Sequence, residues 1–269
     1  MKRHIRHVPD KLIKTKVLCR CAEVRSQIPV TQSMNGRVLY DMLHKYGMVY
    51  IKPCQGAQGN GVIRVDKIGR GGRRARTVYR YQEGTRVRSF AHFGKAYQEL
   101  YRLTKGTPYL VQKGIELLTY RGRPFDIRVM VQRSRRGSWD ATGIVGRVAH
   151  PRKVVTNGSQ GGTIYPVDVI LQPYASQGRR KALIASMQRI GVKSARQLAA
   201  VFPGIREIGA DIALDRQLKP WILEVNTSPD PCPFTKLRDR SMLHRIIRYG
   251  IGYGRKYRLK CTKSKRGMV

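Results

Sequence analysis

The stretch 207–230 predicts a β-hairpin. Ile208, Ile212 and Leu214 fit one strand and residues 221–225 fit the next, on the two sides of a polar segment, Asp215–Pro220. Two apolar segments separated by a short polar one are typical of paired strands. The polar segment then forms a six-residue turn, in which Leu214 faces Trp221. A hairpin of this kind belongs to an antiparallel sheet with one buried face, which favours folds built on such sheets.

Two acids face each other in this hairpin. Counting back from the turn places Asp211 opposite Glu224, and Asn226 lies on the same side because strand side chains repeat every two residues. Opposed acids have Cβ atoms about 5 Å apart and repel each other. Two carboxylates and an amide oxygen are hard ligands that suit Mg²⁺. The sequence therefore predicts a magnesium site at Asp211, Glu224 and Asn226; the alternative is that Asp211 pairs with one of the many arginines.

A glycine-rich loop is the second candidate site. A short strand ends at Lys52, the loop contains Gly56, Gly59 and Gly61, and a second strand follows over 61–65. Glycines allow backbone N–H groups to surround phosphate oxygens, and Lys52 adds a positive charge. The lysine precedes the glycines and a strand follows them, so this is not a Walker loop. The pattern predicts phosphate binding; the alternative is an ordinary glycine-rich hairpin.

The charge of the chain predicts contacts with polyanions. Lys and Arg number 54 against 16 Asp and Glu, which gives a formal net charge of +38. Nucleic acid is a candidate partner, because neutralising its phosphates releases counterions. The basic residues are spread along the whole chain, however, and no nucleic-acid-binding motif accompanies them. We expect non-specific polyanion contacts, with nucleic-acid binding as an alternative function.

Helical and strand periodicities alternate along the chain and predict an α+β fold with antiparallel sheets. We expect helices at about 38–46, 93–101, 179–190, 195–202 and 237–247, and strands at 48–52, 61–65, 109–112, 125–132 and 141–149. Ser194 lies three residues before Gln197, which is the spacing of a capping box, and it marks the start of a separate helix.

Both ends of the chain are basic. Residues 1–30 show no apolar pattern and are expected to form an arm, while 253–269 carry seven Lys and Arg and predict a mobile tail. No stretch approaches the roughly 20 apolar residues of a membrane span, and no apolar run follows the charged N-terminus as in a signal peptide. The five cysteines are scattered, and we expect them to be reduced in a cytoplasmic protein.

Together these segments resemble the ATP-grasp superfamily and, more narrowly, the YheC/YheD endospore coat-associated proteins. The stretches that carry the resemblance, over about residues 36–250, are V-Y-I-K-P, R-P-F-D-I-R-V-M-V-Q, V-T-N-G-S-Q-G-G and W-I-L-E-V-N-T-S-P-D. It implies an ATP-grasp fold, with ATP held between two subdomains made of antiparallel sheets and helices. The implied division is a basic arm 1–35, a glycine-loop subdomain 36–115, a metal-hairpin subdomain 116–250 and a basic tail 251–269. Because only about 35 residues precede the similar region, we expect an ATP-binding core with little or no separate N-terminal domain.

The resemblance also implies roles for individual residues. ATP phosphates would be bound by Lys52, Gly56, Gln58, Gly59 and Gly61. The hinge that contacts adenine would be formed by Gln112, Lys113, Gly114 and Ile115. Arg128 and Arg147 would join Lys52 as catalytic residues facing the transferred phosphate; alternatively, they are ordinary solvated arginines. Asn157 and the loop Gly158–Gly162 either close over the site or form a simple turn.

The function implied by the resemblance is an ATP- and Mg²⁺-dependent carboxylate–amine ligase. Such an enzyme activates an amino acid or peptide carboxylate as an acyl phosphate, so its partners would be ATP, a carboxylate and an amine. The expected location is the cytoplasm, with association with the spore coat. The alternative is a non-catalytic, nucleotide-binding structural protein of the spore coat, which the short N-terminal region favours and the opposed acids disfavour.

Overall fold

A computed structural model describes residues 6–56, 59–69, 77–150, 161–259, 261–262 and 264–267. Within these ranges the chain forms two β-sheets that are largely antiparallel, each packed against helices. The α+β class expected from the sequence is confirmed.

The helices and strands are numbered in chain order. The helices are α1 (Lys11–Leu18), α2 (Ala22–Arg25), α3 (Gly36–Tyr46), α4 (Phe93–Thr104), α5 (Val167–Leu171), α6 (Gln177–Val201) and α7 (Ser241–Gly252). The strands are β1 (Thr31–Ser33), β2 (Met48–Pro53), β3 (Ile63–Gly69), β4 (Thr77–Glu83), β5 (Arg86–Phe90), β6 (Tyr109–Lys113), β7 (Thr119–Tyr120), β8 (Arg123–Arg133), β9 (Trp139–Val148), β10 (Thr163–Tyr165), β11 (Glu207–Leu214), β12 (Pro220–Asn226) and β13 (Lys265–Arg266). A short 3-10 helix covers Cys232–Lys236.

The first sheet has the strand order β1-β6-β2-β3-β4-β5, and its core lies against α3 and α4. The sequence determines both ends of α3. The Asn35 side chain accepts a hydrogen bond from the Val38 N–H at the start, and Gly47 ends the helix with a φ of +72° that glycine adopts without strain. The chain then enters β2, whose last residues include Lys52 and lead into the glycine loop.

The second sheet has the order β12-β11-β8-β9-β10-β13, and β7 pairs with the start of β8. One of its faces is apolar and packs against α1, α5 and α6. The opposite face packs against the 3-10 helix and α7 over part of its area and carries buried charged side chains elsewhere. The two sheets draw most of their strands from the two expected subdomains, but the exact boundaries remain a prediction.

One expectation about the helices is wrong. A single 25-residue helix, α6, replaces the two helices predicted at 179–190 and 195–202. Ser194 does not cap a new helix; it is buried in mid-helix, where its hydroxyl donates to the Ile190 carbonyl one turn earlier. Gly191 lies inside this helix and does not end it. Its lack of a side chain allows the helix to pack closely on Val129 and Val131 of the sheet.

The expectation of an unpatterned N-terminal arm is wrong for the residues that the structure describes. Helices α1 and α2 bury Val17, Leu18 and Val24 in the core of the second sheet, and β1 pairs with β6 of the first. The apolar positions were hidden because lysines separate them along α1, and two of these lysines, Lys11 and Lys14, are themselves buried. The N-terminal segment therefore contacts both sheets.

The C-terminal segment is also docked, contrary to the expected mobile tail. The hydroxyl groups of Tyr253 and Tyr257 donate to the buried Glu207 carboxylate, and β13 pairs with β10. The expectation of reduced cysteines is wrong for Cys232 and Cys261, which form a disulfide. The contacts of this segment could not be predicted from its sequence. Its basic composition is typical of a mobile tail, and nothing in the pattern indicates that its two tyrosines bond to a buried acid.

Among the described residues, no helix has both the length and the apolar character needed to cross a bilayer.

We expect Leu18→Ala to lower the free energy of unfolding by about 2–5 kcal/mol, because Leu18 is only 3% exposed and its truncation leaves a cavity in the core. Ile13→Ala on the same helix is the matched control, since Ile13 is 47% exposed and should change stability by about 0.5 kcal/mol or less. Urea denaturation of both variants measures the difference. Equal stabilities would show that α1 does not contribute to the core.

Candidate active site

The hairpin of β11 and β12 places the two acids opposite each other. Asp211 pairs with Glu224 in the ladder, and Asn226 pairs with Gly209 two positions further along. Directly opposed residues of an antiparallel pair point to the same face. The predicted juxtaposition of Asp211 and Glu224 is confirmed.

The turn of the hairpin differs from the prediction by one residue. Leu214 pairs with Pro220, whereas the sequence pattern placed it opposite Trp221. A register shift between Asp211 and Ile212 changes the pairing by one residue, so that Asp211 lies opposite Glu224 as predicted. One extra residue on β12 therefore accounts for the difference, and apolar alternation alone does not reveal such a bulge.

Asp211 forms a buried ion-pair network with two arginines. Its Oδ1 accepts from Arg128 Nε at 2.5 Å, and its Oδ2 lies 3.1 Å from Arg128 Nη2 and 3.0 Å from Arg147 Nη2. Burial alone would raise the pKa of Asp211, but the two guanidinium charges outweigh it, and the pKa is lowered. The pairing of Asp211 with arginine, which the sequence left open as the alternative to a metal, is present in the structure.

The network continues to a second acid. Arg147 also donates to both carboxylate oxygens of Asp126, at 2.7 Å from Nε and 2.5 Å from Nη2. Asp126, Arg128, Arg147 and Asp211 are all buried, so two acids and two arginines balance one another inside the protein. Arg128 and Arg147 are therefore not solvated surface arginines.

Glu224 is the more accessible of the two opposed acids. Its side chain is 22% exposed, and Lys11 Nζ lies 3.9 Å from its Oε1. In the described chain no three His, Cys, Asp or Glu side chains are grouped as a metal site. The predicted set contains only two such residues and an amide, so magnesium binding by Asp211, Glu224 and Asn226 stays a prediction.

Lys52 extends from the first sheet toward the hairpin of the second. Its Nζ donates to Gln112 Oε1 at 2.6 Å and to the Leu223 carbonyl at 3.4 Å. Burial lowers the pKa of Lys52, and the nearby Glu224 carboxylate partly opposes this shift. Lys52 precedes the last residue of β2 and contacts β12, so it lies at the interface between the two sheets, where it lines a cavity of about 20 Å³.

Two further lysines line the same cavity, and sequence reasoning missed both. Lys11 and Lys14 project from α1 beside Lys52 and Glu224. Lys11 Nζ also donates to the Gly56 carbonyl at 2.8 Å, which ties α1 to the glycine loop. The sequence did contain a signal: Lys11 and Lys14 are three residues apart and follow Asp10, which caps the helix. This spacing places both lysines on one face of the helix.

The glycine loop needs its glycines. Gly56, Gly59 and Gly61 have φ angles of +118°, +75° and +69°, a region that other residues rarely adopt. A Cβ at Gly61 would also lie 2.7 Å from the Tyr109 hydroxyl oxygen. Gln58, the remaining predicted residue of this loop, lies outside the described residues.

The predicted hinge covers the last two residues of β6 and the two residues after it, and it contacts both sheets. Gln112 and Lys113 end the strand, and Ile115 is buried. Gly114 has no room for a side chain, because a Cβ would lie 2.6 Å from the Met48 side chain. Lys113 Nζ lies 5.3 Å from the centre of the Trp221 ring in the hairpin. Of the four hinge residues, Gln112 lines the cavity, and its side chain is already bonded to Lys52.

The second glycine-rich loop is only partly described. Asn157 and residues 158–160 lie outside the described residues, while Gly161 has a φ of +87° and Gly162 precedes β10. Whether this loop closes over the site therefore stays a prediction.

Lys14 gives the site a pH signature. Burial lowers its pKa from 10.5 to about 8, despite the opposing effect of Glu224. Between these values the unfolded chain binds more protons than the folded chain, so stability rises with pH, and below pH 8 the folded protein bears the full cost of the buried charge. We expect Lys14→Met to increase stability below pH 8 and to remove the rise above it.

The measurement is urea unfolding between pH 6.5 and 10. Lys16→Met is the control, because Lys16 lies on the same helix with an exposed side chain. If the profile of Lys14→Met runs parallel to that of the parent, Lys14 does not carry a buried charge.

Two proteins of Bacillus subtilis (strain 168) are similar to this chain. The endospore coat-associated protein YheD is 28% identical over 187 residues, which cover 68% of this chain and 40% of YheD. The endospore coat-associated protein YheC is 22% identical over 225 residues, which cover 83% of this chain and 61% of YheC. The chain thus spans less than two thirds of the length of either relative.

A solved structure shares the fold. The crystal structure of D-cycloserine synthetase DcsG matches with a TM-score of 0.51 and 13% identity, over 90% of this chain and 72% of that chain. The model of the YheC/D like ATP-grasp family matches residues 6–256, which include α1, the glycine loop and the hairpin with the opposed acids. The chain therefore belongs to the YheC/D like ATP-grasp family.

Proposed function

We propose that this protein is an ATP- and Mg²⁺-dependent carboxylate–amine ligase that works through an acyl phosphate. The observation that carries the proposal is the cavity between the sheets, where Lys11, Lys14 and Lys52 converge near Glu224. Three ammonium groups in one partly buried cavity are costly without an anion, and the polyphosphate of ATP is an anion of suitable charge. Membership of an ATP-grasp family supports the same ligand.

The polyphosphate of ATP would lie at the mouth of this cavity, which at about 20 Å³ has room for only one water-sized group. Lys52 and the glycine loop would bind its phosphates through the ammonium group and backbone N–H groups. Lys11 would act with them, because it already contacts the loop at the Gly56 carbonyl. The adenine would contact the hinge Gln112–Ile115, close to the Trp221 ring that packs over Lys113.

Arg128 and Arg147 would neutralise the transferred phosphoryl group. Their bonds to Asp126 and Asp211 hold both guanidinium groups in fixed positions. The two bonds from Arg128 to Asp211 use Nε and Nη2, and no described residue accepts a hydrogen bond from Arg128 Nη1. A fixed arginine with a free donor is suited to stabilising charge that develops in a transition state.

The proposed reaction has two steps. A carboxylate oxygen of the substrate attacks the γ-phosphorus of ATP, the bond to the bridging oxygen breaks, and ADP leaves. The amine nitrogen then attacks the acyl carbon and loses a proton, and inorganic phosphate leaves. The protein contributes positioning and charge neutralisation to the first step, in which charge is redistributed among the phosphate oxygens.

The acid-bearing hairpin fits a magnesium ion by its donor chemistry. Within the described chain, Glu224 forms one ion pair, with Lys11 at 3.9 Å. A carboxylate has about four acceptor sites, so Asp211 keeps acceptor capacity beside its bonds to arginine. Asp211, Glu224 and Asn226 would hold the ion, which as a Lewis acid would offset the charge of the phosphates.

A nucleotide-binding structural protein of the spore coat is the second candidate. The names of the two similar proteins favour it, since both are called endospore coat-associated. The ion pairs that already occupy Asp211 also favour it, because they make a stable site without turnover. In that case ATP would bind in the cavity without being consumed, and the protein would be found in the cytoplasm and at the spore coat.

We expect Lys52→Ala to reduce ATP-dependent phosphate release by about 10²–10³-fold, by analogy with the loss of one donor to a developing charge. Lys67→Ala is the matched control: it removes the same charge from β3, away from the cavity. Both variants would be assayed with ATP, Mg²⁺ and a panel of amino acids. Thermal unfolding would confirm that the variants are folded, because Lys52 also bonds to Gln112.

Two outcomes of this assay would change the proposal. Comparable activity in the two variants would show that Lys52 does not act on phosphate. Binding of ATP by the parent protein without phosphate release, with every acceptor tested, would favour the structural protein.

We expect Glu224→Gln to weaken the effect of Mg²⁺ on ADP affinity by about tenfold or more, because a neutral amide is a poorer ligand for a hard cation. Glu116→Gln is the control, since Glu116 is an exposed acid that pairs with Arg216 at the surface. Calorimetric titration of ADP with and without Mg²⁺ measures the effect. An unchanged magnesium dependence in Glu224→Gln would remove Glu224 from the metal site.

A further inference from the structure

A second concave site lies away from the candidate active site. It is a cleft of about 480 Å³ between the turn joining β8 to β9 and the last turn of α7, and we call it the arginine cleft. Arg135, Arg136, Arg248 and Tyr249 define it. The turn begins after Arg133, five residues beyond Arg128 along β8, which corresponds to about 17 Å of extended strand.

The cations of the arginine cleft have no carboxylate partner within the described chain. In the described chain, Arg135, Arg136 and Arg248 form no ion pair, and the residues outside the described ranges include no Asp or Glu. Asp140 is the one acid that lines the cleft. Its Oδ2 already accepts hydrogen bonds from the Tyr249 hydroxyl at 2.9 Å and from Ser138 Oγ at 3.2 Å.

The walls of the cleft are fixed by bonds within the protein. In the turn, the hydroxyls of Ser134 and Ser138 bond at 2.7 Å, and the Ser134 N–H donates to the Ser138 carbonyl at 2.7 Å. On the other wall, Gln132 Nε2 donates to the Ile246 carbonyl at 3.0 Å and anchors α7 to β8. The backbone of the cleft is therefore formed in advance, while the three arginine side chains remain exposed.

We propose that the arginine cleft binds linked phosphate groups, as in a polyphosphate chain or a nucleic acid backbone. Guanidinium groups bind phosphate oxygens in pairs and are weakly hydrated, so several converging arginines suit this ligand. The volume exceeds that of one phosphate, and Arg245, which lies 6.0 Å from the centre of the Tyr249 ring, extends the positive charge along α7. An anion of several linked phosphates can contact all of these groups at once.

The arginine cleft combines a concave shape with positive charge. Helix α6 also carries exposed arginines that form no ion pair in the described chain, Arg179, Arg189 and Arg196, and they lie outside the arginine cleft. This helix therefore provides a control with the same number of charges. If charge alone drove binding, both sets of arginines would contribute equally.

The experiment compares two triple variants of the full chain. In the cleft variant Arg135, Arg136 and Arg248 are replaced by Gln; in the control Arg179, Arg189 and Arg196 are replaced by Gln. Binding of a fluorescent 20-nucleotide single strand is measured by anisotropy at several salt concentrations, with tripolyphosphate as competitor. Circular dichroism checks that both variants are folded.

We expect the dissociation constant of the cleft variant to rise by about tenfold or more, because several charge-assisted hydrogen bonds are lost. Its salt slope should fall by about 2, at roughly 0.7 for each lost phosphate contact. The control should change less than threefold. Competition by tripolyphosphate would show that a short phosphate chain is sufficient, and its absence would assign the cleft to a nucleic acid backbone. An equal loss in both variants, no loss in the cleft variant, or no binding by the parent at low salt would each overturn the proposal.

Discussion

Four buried charged side chains on β8, β9 and β11 fix one another's positions on the second sheet, and the candidate active site depends on this arrangement. Asp126, Arg147, Asp211 and Arg128 form a chain of ion pairs, and the low pKa of Asp211 keeps its carboxylate ionised. Breaking a buried pair by removing one partner typically costs about 3–5 kcal/mol, because the remaining charge is left without compensation. The formal charges of these four side chains sum to zero. A phosphate that bound to the two arginines would add negative charge beside Asp126 and Asp211. A cation at the hairpin would balance that added charge. Under the proposed function, binding of the nucleotide and of magnesium is coupled by this balance.

The lysines show the complementary arrangement. Lys52 comes from the first sheet, and Lys11 and Lys14 come from α1, which packs on the second. The lowered pKa of Lys14 shows that burial outweighs the nearby acids, of which Glu224 has the largest effect. The cavity thus has an excess of positive charge, whereas the adjoining ion-pair network has none. An anion binds more favourably in the cavity, whereas the ion-pair network holds its arginines in place. The two regions therefore have different roles in the proposed mechanism.

Local pattern was sufficient to predict α3, the juxtaposition of Asp211 with Glu224 and seven of the thirteen described strands, namely β2, β3, β6, β8, β9, β11 and β12, because these features depend on period and turn position. It was not sufficient for α6, where Ser194 has the spacing of a cap but satisfies its hydroxyl within the helix. It also missed Lys11 and Lys14, because a lysine in a basic segment gives no sign of being buried. Burial of a charged residue is decided by what packs on it, and here the packing partners are more than 200 residues away in the hairpin.

The distribution of the few acids explains how a chain with a net charge of +38 can keep a selective site. Asp66, Asp126, Asp211 and Glu207 are all buried, and each bonds to an arginine at a defined position. Acids used in this way fix side chains inside the protein and cannot neutralise its outer surface. The excess of cations is therefore exposed, where salt screens it and polyanions meet it first. Inside the cavity the lysines are partly desolvated and are less screened. Affinity for a small nucleotide and affinity for a long polyanion consequently arise in different places and should respond differently to salt.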